Sequence, residues 1–214
     1  MKVLVTGGAR SGKSTFAERF VMKQAGSAIY VATAQAFDKE MKERIALHRQ
    51  QREEQEYGWT TLEEPYRLPA LLIKLGGDHD GQERLATSSM EHELCSDAKA
   101  RVVNTWTCQP TVLVDCLTLW LSNILLAAGD EPDHAIETVM EQIRQLAAAV
   151  AEFPGTLVMV TNEVGHGIVP EYPLGRQYRD LAGTMNRMIA AMADQVFLVT
   201  AGIPIELKSR EYLL

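Results

Sequence analysis

The 214-residue sequence predicts an α/β protein with a mainly parallel central sheet and helices on both faces. Short apolar runs rich in β-branched residues alternate with longer segments of helical periodicity, which is how a parallel sheet reads when its crossovers cover it. The first run, VLVT at 3–6, passes into GGARSGKS at 7–14 and then into a helical pattern. That order of strand, glycine-rich turn and helix is the setting of a phosphate-binding P-loop. The expected fold is therefore P-loop NTPase-like.

The elements follow in order. A strand at 3–6 leads through the turn to an amphipathic helix at 13–24, and a second apolar run at 28–32 gives the next strand. Helical spacing returns at 38–56 and 65–75. Residues 78–110 are polar, have no sustained period and are long for a loop in a compact domain, so they are expected to form an insertion, with a short helix around 88–100. The insertion carries His79, His92 and Cys95, whose spacing matches no standard ligand set. Strands are expected at 111–115, 156–161, 195–200 and 203–207, and helices at 117–128, 133–153 and 174–193. No repeat or linker divides the chain, so 1–214 is expected to be a single domain, a length that suits one core.

Composition narrows the function. Twenty-one basic against 28 acidic residues give a net charge of −7, which argues against nonspecific nucleic-acid binding. Cys95, Cys108 and Cys116 lack a C-x-x-C spacing, and their odd number suits a reducing compartment. Met1-Lys2 leads directly into the first strand, no leader is visible, and no apolar run approaches a membrane span. The expected location is the cytoplasm.

The P-loop motif specifies its own chemistry. Gly7 and Gly12 permit backbone angles that let successive N–H groups, from Gly8 through Ala9, Arg10 and Ser11, point inward at phosphate oxygens. The helix that follows presents its positive end. Lys13 reaches the β- and γ-phosphates, and the Ser14 hydroxyl is a ligand for Mg²⁺.

In open parallel sheets ligands bind at the carboxyl ends of the strands, so the residues leaving each strand are the next candidates. Thr33, Ala34 and Gln35 form a polar patch after the second strand. Val112-Leu113-Val114-Asp115 closes an apolar strand on an acid, the pattern of a carboxylate holding Mg²⁺ or its water shell. The same Asp115 stands where it could cap the helix expected from Leu117, and both roles remain open. Asn162 and Glu163 leave the strand at 156–161 into a glycine-bearing loop and are candidates for a substrate wall, with His166 further along it. Arg176 and Arg179 follow on a helix and face either phosphate or solvent.

KERIALHRQQR at 42–52 is unusual. Arg44, His48 and Arg52 recur at i, i+4 and i+8, with Arg49 beside the histidine. Flanking guanidinium groups favour a neutral imidazole with a free lone pair and are able to hold a phosphate under attack. On spacing alone a solvated helix face is the favoured reading.

Taken together, GGARSGKS, Thr33-Ala34-Gln35, Arg44-Ile45 with His48-Arg49 and Arg52, Trp59 with Glu63, and VTNEVGHGIVP followed by Arg176, Arg179-Asp180 and Asn186 resemble one family. It is the bifunctional adenosylcobinamide kinase/adenosylcobinamide-phosphate guanylyltransferase family of cobalamin biosynthesis, and the resemblance runs from Met1 to about Lys208, interrupted by the insertion. It implies phosphorylation of adenosylcobinamide by ATP or GTP. It also implies guanylylation of an enzyme histidine by GTP, followed by transfer of GMP to adenosylcobinamide phosphate. His48 matches the guanylylated position, and Arg49, Gln50, Gln51, Arg52, Glu63 and Asp115 match positions associated with GTP. The resemblance further implies a homotrimer. A single-activity P-loop kinase would need Lys13 and Asp115 but not His48, and a nucleotide-binding switch would need no small-molecule acceptor.

Overall fold

The computed structural model describes residues 1–35, 43, 46, 49–50, 52, 54, 56–77, 109–129 and 132–212. Its centre is a seven-stranded sheet made of β1 (Lys2–Gly7), β2 (Ser27–Ala32), β3 (Gly58–Glu63), β4 (Thr111–Asp115), β5 (Thr156–Val160), β6 (Gln195–Thr200) and β7 (Ile203–Glu206), in the order β3-β2-β4-β5-β1-β6-β7. Six strands run parallel and β7 alone is antiparallel, paired with β6. The parallel α/β expectation is met.

Side chains alternate across the sheet and sort the core into two layers. On one side Val3, Val5, Leu113, Val158 and Val160 meet Ala17 and Val21 of α1 (Lys13–Gln24). The rings of Phe16, Phe20 and Phe197 extend this layer, with Phe16 and Phe197 centroids 4.9 Å apart. On the other side Leu4, Val31, Val112, Val114, Leu157 and Met159 pack under α2 (Leu68–Gly77), α3 (Leu117–Ala127), α4 (Pro132–Glu152) and α5 (Pro173–Met192). Strands buried on both faces are what made their sequences continuous apolar runs.

The structure departs from the sequence expectation in three places. β3 was not expected: it is an edge strand with mostly exposed residues, so GWTTLE presents no apolar run. The helix expected from 65 starts at Leu68, because Glu64 Oε1 accepts the N–H groups of Tyr66 at 3.0 Å and Arg67 at 2.7 Å and holds a turn before it. Within 38–56 the described residues 43, 46, 49, 50 and 52 are helical, but Glu54 already lies in a bend. The insertion, with His79, His92, Cys95 and Cys108, lies outside the described residues except for Gln109 and Pro110.

Candidate functional site

The parallel strands bring their carboxyl ends to one edge. The register places Glu63 beside Ala32, Ala32 beside Asp115, Asp115 beside Val160 and Val160 beside Val5, with Gly7 two residues further along β1. The P-loop and the other strand ends thus form one continuous rim.

The P-loop is folded around its own backbone. A Cβ at Gly7 would stand 2.4 Å from the Val199 carbonyl and 2.7 Å from Ser11 Oγ, so only glycine fits. Gly12 caps α1 with φ 91°, a left-handed angle that glycine adopts without strain. Ser11 N–H donates to Gly8 O at 3.3 Å, and Gly202 N–H, from the turn between β6 and β7, supports the loop by donating to Ser11 O at 2.9 Å. Lys13 is buried, with Nζ donating to Gly8 O at 3.1 Å, so its charge lies across the loop. Ser11 Oγ is buried with no partner among the described residues, a hydroxyl inside an anion cradle.

Ser14 stands in the first turn of α1. Asp115 continues the alternation of Leu113 and therefore shares the α1 face of the sheet. Its Oδ2 accepts the Tyr30 hydroxyl at 3.0 Å. The N-cap of α3 is Cys116, with no side-chain cap bond, so the capping role left open for Asp115 is excluded. A hydroxyl and a single carboxylate are hard oxygen donors that suit Mg²⁺ completed by phosphate oxygens and water. Among the described residues no group of three acidic, histidine or cysteine side chains forms a metal cage.

Tyr30 was missed at the sequence level because it sits in an apolar strand and reads as core. It is 4% exposed, and its ring carries the Arg52 guanidinium 3.7 Å from its centroid. Burial first, then the Asp115 charge, pushes the Tyr30 phenol well up. Arg52 is also buried, with NH1 4.0 Å from Glu18 Oε1 on α1. It therefore anchors the helical residues around it to the sheet and to the P-loop helix. Arg49 and Gln50 are exposed, and Gln50 Nε2 donates to Glu54 Oε1 at 2.8 Å. Arg44, His48 and Gln51 lie outside the described residues.

On the other face a chain of hydrogen bonds braces the rim. Thr33 Oγ1 donates to Cys116 O at 2.7 Å and accepts Cys116 N–H at 2.9 Å, Thr33 O accepts Asn123 Nδ2, and Thr33 N–H donates to Asp115 O. With its polar groups so engaged, Thr33 is a strut, which leaves Ala34 and Gln35 as the half-buried wall; Gln35 Oε1 accepts the Tyr66 hydroxyl. Cys116 is buried, and burial followed by the Asp115 charge raises its thiol to about 11, so it stays protonated at neutral pH. Asn162 Nδ2 donates to Thr118 Oγ1 at 2.7 Å, while Asn162 O accepts Asn186 Nδ2 at 3.1 Å. Asn162 thus braces the rim through its amide, and Glu163 lies half-buried beside it. Arg176 donates to Pro170 O and Glu171 O, and Arg179 to Gly165 O, so both arginines tie down the loop after β5. Glu63 is exposed at the end of β3, and His166 is exposed on the loop.

A glycine-rich turn between a parallel strand and a helix, with its lysine folded across it and a braced polar rim beside it, gives the chain the form of a P-loop protein. The chain belongs to the cobinamide kinase/cobinamide phosphate guanyltransferase family, whose model matches residues 3–85 and 80–207. It is similar to the bifunctional adenosylcobalamin biosynthesis protein CobP of Pseudomonas aeruginosa PAO1, 38% identical over 211 residues, covering 97% of this chain and 98% of the relative. It is also similar to the bifunctional adenosylcobalamin biosynthesis proteins CobU of Escherichia coli K12 and Salmonella typhimurium LT2. These are 37% and 36% identical over 215 residues, covering 97% of this chain and all of each relative. The two transferase activities are those of the family. No helix among the described residues is long and apolar enough to cross a membrane.

Proposed function

We propose that both reactions use one nucleotide site. Adenosylcobinamide is phosphorylated by ATP or GTP, and GMP then travels from GTP through His48 to adenosylcobinamide phosphate, giving adenosylcobinamide-GDP and pyrophosphate. The observation that carries the reading is the arrangement of the rim. Lys13 lies across the phosphate cradle, and Arg52, four residues after His48, is anchored on Tyr30 beside the P-loop helix.

In the kinase reaction the P-loop N–H groups and Lys13 hold the β- and γ-phosphates while the substrate hydroxyl attacks the γ-phosphorus. In the guanylyl reaction the His48 lone pair attacks the α-phosphorus, pyrophosphate leaves, and the phosphoramidate divides one transfer between two bulky partners into two displacements. Lys13 offsets the charge that develops on the leaving group in both. Ser14 and Asp115 are the residues that would hold Mg²⁺, which when bound neutralises phosphate charge. Ala34 and Gln35 are assigned to the nucleotide by their place at the strand end, and Arg49, Gln50, Gln51, Arg52 and Glu63 by the family resemblance. The same resemblance supports a homotrimer, which light scattering on the purified protein checks, and the cysteine usage supports a cytoplasmic location.

Two rates on one preparation test the reading: phosphorylation of cobinamide, and formation of the GDP-linked product from cobinamide phosphate and GTP. Lys13→Ala is expected to lower both by about 10²-fold or more. His48→Asn is expected to abolish the second and leave the first within about threefold. Wild-type guanylyl transfer in His48→Asn would place the nucleophile elsewhere. Near-normal turnover in Lys13→Ala would remove the P-loop from the chemistry.

A further inference from the structure

We propose that Glu163 is the base that takes the proton from the substrate hydroxyl in the kinase reaction; the inference rests on reading the P-loop as the γ-phosphoryl site. β5 is the immediate neighbour of β1, so its exit runs beside the P-loop, and Glu163 N–H donates to Gly7 O at 3.1 Å. Strand spacing decides among the acids on the rim. At roughly 4.8 Å per strand, the exit of β5 lies about 5 Å from the P-loop strand, Asp115 on β4 about 10 Å, and Glu63 on β3 about 19 Å.

The residues before Glu163 are already committed. Thr161 Oγ1 donates to Asn186 Oδ1 at 2.7 Å, and Asn162 turns its amide to Thr118. Glu163 instead is half-buried, and its backbone N–H ties it to the P-loop strand. Its Oε1 accepts Gly165 N–H at 3.3 Å, and a Cβ at Gly165 would stand 3.1 Å from that oxygen, so the loop sets the direction of the carboxylate. Oε2 accepts no hydrogen bond among the described residues. Arg179 holds the loop from α5 through the Gly165 carbonyl. A fixed carboxylate with one oxygen engaged and one open is the form of a positioned base.

In the step assigned to it, the substrate oxygen forms its bond to the γ-phosphorus. The bond from that phosphorus to the bridging oxygen breaks, and its electron pair leaves on the nucleoside diphosphate. The hydroxyl proton passes to Oε2 of Glu163 and then to water. Neither guanylyl step needs this service. A neutral imidazole attacks through a lone pair, and the acceptor of GMP is already a phosphate anion. Loss of the carboxylate therefore affects one activity and spares the other.

The test compares Glu163→Gln, Glu163→Ala and wild type in both assays. Glu163→Gln keeps an oxygen for Gly165 N–H, and its kinase kcat is expected to fall about 10²-fold or more with both KM values within about threefold. Covalent GMP labelling and GMP transfer are expected to continue at wild-type rates. Added formate is expected to restore part of the kinase rate to Glu163→Ala. A wild-type kinase kcat in Glu163→Gln overturns the assignment, as does equal loss of both activities without formate rescue, which would make Glu163 a loop brace. Lys13→Ala, run alongside, tests the underlying reading separately: if it retains kinase activity, the P-loop assignment fails whatever Glu163 does.

Discussion

The Tyr30 hydroxyl donates to Asp115 across two paired strands, and this 3.0 Å bond sets where the carboxylate points. Tyr30→Phe removes only the hydroxyl, because the ring still packs on Arg52 and edge-on against Trp59. The expected cost is about 1 kcal/mol of stability, read from a denaturant melt. The apparent Mg²⁺ requirement of the kinase is expected to rise several-fold, with kcat recovering at high Mg²⁺. An unchanged Mg²⁺ requirement would mean that the bond does not orient Asp115. At this scale the sequence was legible in the loop itself: Gly7 and Gly12 stand where the backbone calls for glycine, and Lys13 folds across the turn. It was not legible for Tyr30 or for the bracing roles of Thr33 and Asn162. A buried hydroxyl in an apolar run and a polar side chain at a strand end read alike whether they face a ligand or the protein.

At the scale of elements, the strands buried on both faces and the short antiparallel edge at 203–207 are legible in the sequence, and the opposite edge strand is not. β3 has a solvent-facing pattern and was passed over, although it carries Glu63 to the rim. The other edge is held by a local device. Glu206 Oε1 accepts the N–H groups of Val196 and Lys208, each at 3.1 Å, and Oε2 accepts that of Ser209 at 2.6 Å, joining β7 to β6 and to the short 3₁₀ turn at Lys208–Arg210. Hydrogen bonds from Ser209 foremost, then from Val196 and Lys208, lower the Glu206 carboxyl to about 2 from an ordinary 4.5. A depressed carboxyl contributes stability that is present above its unfolded value and lost as pH falls through its folded one, so the window lies between about 4.5 and about 2. Hydrogen exchange of the Val196 and Ser209 amides is expected to accelerate across that window. In Glu206→Gln it is expected to be fast at neutral pH and nearly independent of pH after correction for the intrinsic rate. The same protection in both proteins at pH 6 would count against the carboxylate as the latch.

For the whole molecule, the parallel sheet with helices on both faces followed from alternation of strand and helix patterns. The strand order did not, because a sequence shows succession and not adjacency. The order separates the P-loop strand from the Asp115 strand by β5, and so delivers Glu163 between them. It also bears on the insertion. A Cβ at Gly76 would stand 2.9 Å from Pro154 Cδ, and a Cβ at Gly155 would stand 2.0 Å from the Pro110 carbonyl oxygen. Both flanks of the insertion therefore pack on the one turn before β5, and a short bridge is able to join them. Replacing 79–108 with a brief Gly/Ser linker is expected to change stability by about 1 kcal/mol or less, since closure entropy varies slowly with length, and to leave both activities in place. Loss of activity in a folded variant would assign the insertion to the site or to the assembly.

The central claim is that one P-loop site serves two acceptors, the corrinoid hydroxyl and His48. The most direct measurement is the intact mass of the protein after incubation with GTP and Mg²⁺, before and after acid, for wild type and for His48→Asn. Wild type is expected to gain one GMP per chain, stable in base and lost in acid as a phosphoramidate is, while His48→Asn gains nothing and still phosphorylates cobinamide. A GMP adduct of undiminished yield on His48→Asn would contradict the account.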